Sequence, residues 1–153
     1  MTCKEGGAIY IFLNKLGSFV NLLIRVMLFQ FFFFSGYDKL QSWDTTLKLF
    51  ENEYAISFLS PQMAAVMGTG AEIIFACLIL MGLLTRISAW GLFLLNLFVM
   101  VYAQHLHTEM GQVDMFVHYF WAIFCMVILC YGPGMISLDA LFCWLRGRKK
   151  KSV

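Results

Sequence analysis

The chain has 153 residues, the size of one domain, and is 61% hydrophobic, 17% aromatic and only 13% charged, with mean hydropathy +0.77. Soluble domains carry about 25% charged residues, so this composition excludes an ordinary solvated surface and implies an integral membrane protein. The net charge of +2 is small, and the short basic cluster Arg146, Arg148, Lys149, Lys150 and Lys151 adjoins no nucleic-acid-reading motif, so no nucleic acid is expected as a partner.

In chain order, the N-terminal run "AIYIFL" is too short for a signal-peptide core and no A-x-A site follows it. The first apolar span is therefore expected to be retained. A membrane-crossing helix needs about 20 mostly apolar residues, and four segments qualify, at 17–36, 62–84, 87–104 and 114–131. Between the first two, Trp43, Leu47, Phe50, Tyr54 and Phe58 recur at helical spacing, with Asp44, Lys48 and Glu51 on another face. That pattern predicts an amphipathic helix lying on the outer interface or capping the bundle. After the fourth span, Ser137 as N-cap and Asp139 in the first turn predict a short C-terminal helix. The fold class is thus all-α: one membrane domain over 1–153, a four-transmembrane-helix bundle with two short accessory helices.

Basic residues set the orientation. Lys4, Lys15, Arg86 and the C-terminal cluster fall on one side. Lys39 and Lys48 fall on the other, among Asp38, Asp44, Glu51, Glu53, Glu109 and Asp114. The positive-inside rule then places both termini in the cytoplasm.

Polar groups inside the spans carry the chemistry. A charge near a helix centre costs about 2.5–3.5 kcal/mol on insertion scales, so such groups face the bundle and find partners. Glu72 shares an i+4 row with Ala64, Gly68 and Ala76, small residues that admit a neighbouring helix. Arg25 shares a face with Asn21 and Ser18. Counting about 1.5 Å per residue puts Arg25 about 12 Å and Glu72 about 18 Å from the basic side. An arginine side chain bridges that offset, so a buried Arg25–Glu72 pair is expected. Asn96 is level with Arg25 and Gln30 with Glu72, and both are candidates for a polar pocket, although Gln30 lies about 140° around the helix from Arg25, which can turn it to a different neighbour. Such a cluster serves as an interhelical hydrogen-bond network, as a site for a quinone head group, a proton or a small polar ligand, or as both.

His105, His107, Asp114 and His118 form a second candidate set, for copper or zinc. Their spacing fixes no coordination geometry, so a metal is not the expected cofactor. Cys3, Cys77, Cys125, Cys130 and Cys143 form no C-x-x-C pair. Nucleophile elbow, phosphate loop and dinucleotide fingerprint are all missing from the sequence.

Four short motifs fall in a defined order: "SGYDKL" at 35–40, "GTGAEI" at 68–73, "GLLTR" at 82–86 and "GPGMISLDAL" at 132–141. Together they resemble the DoxX family of small four-helix bacterial membrane proteins. The matching positions are Gly36, Lys39, Gly68, Glu72, Arg86, Gly132, Pro133, Gly134 and Asp139. The resemblance implies a protein of the bacterial cytoplasmic membrane and a subunit of a membrane oxidoreductase system acting on or near quinone. Two other functions compete with it. One is a non-catalytic anchor or assembly partner, working with another protein or as a homo-oligomer in the bilayer. The other is metal handling through the histidine-rich loop. For the motif residues, the residues themselves suggest structural work: Gly132-Pro133-Gly134 ends the fourth span, Arg86 anchors a turn, and Lys39 either snorkels to the outer interface or pairs in the neighbourhood of Asp38.

Overall fold

A computed structural model describes residues 7–54, 59–103 and 112–149. All regular structure among them is helical: α1 (Gly7–Gln41), α2 (Trp43–Lys48), a π-helical turn (Leu49–Glu53), α3 (Pro61–Met81), α4 (Thr85–Tyr102), α5 (Gln112–Tyr131) and α6 (Leu138–Lys149). Four of these helices are long and apolar enough to cross a membrane: Ile11–Gln41, Pro61–Met81, Thr85–Tyr102 and Asp114–Tyr131. The protein is therefore a multi-pass membrane protein. α1 packs chiefly on α3, α3 on α4, α4 on α5, and α5 closes back on α1.

α1 is longer than the first predicted span. Its 35 residues reach about 50 Å, because neither Gly17 nor Gly36 is followed by a proline or a turn signal that stops the helix. Its first turns lie outside the packed bundle, with Ile9, Phe12, Leu13 and Phe19 exposed. Further along, Asn21, Arg25, Leu28, Phe32 and Gly36 form a buried seam at spacings of three and four. This is the coiled-coil-like pattern of antiparallel helices. α3 answers with Ala65, Thr69, Glu72, Ala76 and Ile79. At Gly36 the two backbones come close: a Cβ there would lie 2.7 Å from Ile73 Cγ1 and 3.4 Å from Glu72 Cβ.

The α3–α4 connection is tight. Gly82 adopts φ 67, the left-handed conformation that glycine tolerates. Its N–H donates to Ile79 O, and the Leu83 N–H donates to Leu78 O, closing α3 in a Schellman motif. Leu84 stands at the N-cap of α4 and has no side chain that can cap it. Asp139, from α6, takes over that job. Its carboxylate accepts from Leu84 N at 3.0 Å, Thr85 N at 2.9 Å and Thr85 Oγ1 at 2.8 Å. The sequence pattern assigns Asp139 to the dipole of its own helix. In the structure its carboxylate binds the N-terminus of α4.

At the opposite end, α2 and the π-helical turn fold over the bundle. Phe50 and Tyr54 are buried against Ala64, Ala65 and Ala103, with Trp43 and Leu47 packed alongside. Of the two positions open to the amphipathic segment, it takes the capping one. Phe58 lies outside the described residues.

Candidate functional site

The expected Arg25–Glu72 pair does not form. Arg25 lies at the end of α3, where Nε donates to Ile79 O at 2.7 Å and Nη2 to Leu80 O at 2.5 Å. Its Nη1 donates to Pro133 O at 3.2 Å and Ile136 O at 2.6 Å. Ile79 is seven residues beyond Glu72, about 10 Å along the helix. The carbonyls at a helix C-terminus lack intrahelical donors and carry the negative end of the dipole. They hold a guanidinium fork with five donors better than one distant carboxylate does. Asn21 Nδ2 adds a bond to Gly132 O at 2.9 Å. Asn21, Arg25, Asp139 and the 132–137 loop therefore lock one end of the bundle. Arg86 is exposed and lies against Gly132.

Lys39 is the partner of Glu72. Its Nζ lies 2.5 Å from Glu72 Oε1 and 3.3 Å from Ser35 Oγ. The side chains are 15% and 7% exposed, so the pair is withdrawn into the bundle. Lys39 does not snorkel outward as its position near the end of the span suggests. Helical side chains lean toward the N-terminus of their helix, and this lean carries the ammonium back along α1 toward the level of Glu72. Gly36, one turn earlier, removes the Cβ that would hold α3 away.

Two cavities meet at this pair. The smaller, about 180 Å3, is bordered by Ser35, Lys39, Glu72, Asn96 and His118, with Phe31 and Phe32 beneath. The larger, about 280 Å3, is apolar and runs along α3 past Ala64, Gly68 and Ala71 to Phe98 on α4. Lys39, Tyr54, Glu72 and Val99 border both. Glu72 Oε2 is buried and has no hydrogen-bond partner. The Ser35 hydroxyl, which accepts from Lys39, lies beside the same carboxylate. Burial, with the negative charges of Glu72 and Glu53, pushes the Tyr54 phenol up to about 12, so it stays a protonated donor at neutral pH.

Asn96 borders the smaller cavity and clasps α5. Its Nδ2 donates to His118 O at 2.9 Å, and its Oδ1 faces His118 Nδ1 at 2.8 Å. This pairing places a proton on Nδ1. Gln30 does not join the pocket. It is exposed on the lipid side of α1, because five residues from Arg25 is about 140° around the helix. For the metal set, His105 and His107 lie outside the described residues. Asp114 is exposed, whereas His118 is committed to Asn96. Among the described residues no three metal-ligating side chains cluster.

A family model described as DoxX matches residues 20–107, more than half of the chain. The match includes Lys39, Glu72 and Asn96 and ends before His118. No curated protein and no solved structure matches the chain.

Proposed function

Because the chain belongs to the DoxX family, we propose that it is a subunit of a membrane oxidoreductase system and binds a quinone in the cavities around Glu72. The observation that carries this reading is the buried Lys39–Glu72 pair, standing where a polar and an apolar cavity meet inside the bundle. An intramembrane ion pair bordering empty space marks a functional site more often than a helix fastener, which is packed tight. The partnerless Glu72 Oε2 fits a polar head group.

A bound quinone supplies two-electron, two-proton redox chemistry in the bilayer. The chain's own residues bind and orient it. Lys39 and Tyr54 are hydrogen-bond donors beside the cavity, Glu72 offers an acceptor that can hold a proton, and Phe31 and Phe98 offer flat apolar walls. Electrons come from a partner subunit. Membership of the family supports a cytoplasmic membrane location, and the basic residues support both termini inside, which turns the cavity end of the bundle outward.

Purification from native membranes, followed by quinone extraction and a reduction assay, tests the proposal. Lys39→Met is expected to lose bound quinone at least tenfold and Glu72→Gln to lose quinone reduction at least tenfold, whereas a surface change such as Tyr131→Phe leaves both unchanged. Full quinone binding in the Lys39→Met complex, or full reduction in the Glu72→Gln complex, would overturn it.

A further inference from the structure

The junction of the two cavities is chemically lopsided. Glu72 Oε1 is taken by Lys39, and Oε2 is left without a donor. Lys39 gives one hydrogen to Glu72 and one to Ser35, and its ammonium has a third. Asn96 is committed on both sides of its amide to His118. The Ser35 hydroxyl and the Tyr54 phenol border the same junction, yet Oε2 is the acceptor there with no hydrogen-bond partner in place.

An ionised carboxylate only accepts hydrogen bonds. A carbonyl oxygen brought to Oε2 sets lone pair against lone pair in a low-dielectric site, where an unmade bond is costly. A hydroxyl does better. The same oxygen donates its proton to Glu72 and accepts from Lys39.

The larger cavity restricts the rest of the ligand. Its α3 wall includes Met67, which is 61% exposed within a membrane-crossing helix. The mouth therefore opens sideways into lipid. Ala64, Gly68 and Ala71 leave a channel from that mouth to the ion pair, and Phe50 lies over Gly68, where a Cβ would come within 3.0 Å of its ring. A flat or chain-like apolar body fits this route.

We infer that the site selects a membrane-dissolved ligand whose head group carries a hydroxyl, so that within the quinone reading above, on which this rests, it prefers the quinol to the quinone. Glu72 is the specificity-determining residue, and the preference reflects binding alone.

The test uses the full chain in lipid nanodiscs and anaerobic equilibrium binding. Two ligand pairs are compared: a decyl-benzoquinol with its benzoquinone, and decylphenol with its methyl ether, a pair that undergoes no redox change. The hydroxyl member of each pair is expected to bind at least about tenfold tighter, the effect of one charge-assisted hydrogen bond. Glu72→Gln presents an amide N–H2 that can turn to the ligand, so the preference should fall to parity or reverse. The wild-type comparison decides the matter if that variant does not fold. Equal binding within both pairs, or tighter binding of the quinone, overturns the inference and leaves the quinone reading standing. Binding of neither quinone nor quinol removes both. An unchanged preference in a folded Glu72→Gln variant overturns the assignment to Glu72.

Discussion

Arg25 and Lys39 lie on one seam of α1, fourteen residues apart, yet they do opposite kinds of work. Arg25 meets four carbonyl oxygens and borders neither cavity at Glu72. Lysine cannot reproduce that fork. Arg25→Lys is expected to cost about 2–4 kcal/mol, seen as a lower unfolding midpoint in detergent, with ligand affinity per folded molecule unchanged. Lys39→Met leaves a buried carboxylate unpaired and should cost about 3–5 kcal/mol. Adding Glu72→Met should recover most of that loss, because the pair's net contribution is far smaller than the penalty for breaking it. A double-mutant cycle measures the difference, and additive losses would contradict it. The burial of Arg25 and Glu72 was legible from hydropathy alone, but their partners were not. Depth counted from the ends of an apolar run cannot locate a helix that continues past both ends. The seam through Arg25, Leu28, Phe32 and Gly36, carried one step further, reaches Lys39. That periodic signal was present in the sequence.

At the scale of elements, close approach and capping by a distant residue decide the geometry. Gly36→Val would drive a branched side chain into Ile73 and spread α1 from α3 at the level of the ion pair. A loss of about 1–3 kcal/mol is expected, together with weaker ligand binding, since Lys39 moves with α1. Asp139 illustrates the second device. Partial burial pushes its carboxyl up, but hydrogen bonds from Thr85 and Leu84, with the Arg25 charge, outweigh this and hold it below its ordinary value of 3.8. A depressed folded pKa gives stability that is complete above the unfolded value and lost as pH falls through the folded one. Asp139→Asn should therefore flatten the stability–pH profile below about pH 4, and Asp139→Ala should cost about 1–2 kcal/mol at neutral pH. The C-terminal helix itself was legible from Ser137 and the apolar spacing. Its service to α4 was not, because the two partners are 54 residues apart.

For the whole molecule, the number of spans and their order followed from composition and run length, since lipid allows few alternatives to closed helices. The site was harder to read. It draws on α1, α3, α4, α5 and the turn after α2 at once, and no single stretch carries more than two of its polar groups. An even number of spans puts both termini on one side, so reporters fused at either end should give the same compartment signal. Opposite signals would remove one span from the count.

The borrowed cap on α4 also sets an order of events during synthesis. The α3–α4 hairpin can enter the membrane as soon as it is made. The amide of Thr85 then waits for an aspartate 54 residues downstream, roughly 3–11 s at ordinary translation rates. Until Asp139 arrives, the hairpin's turn is an open end that water or a chaperone must tend. The last step of assembly is thus a latch rather than an insertion. A nascent chain stopped after Tyr131 should contain every span and still be cleared faster than the full chain.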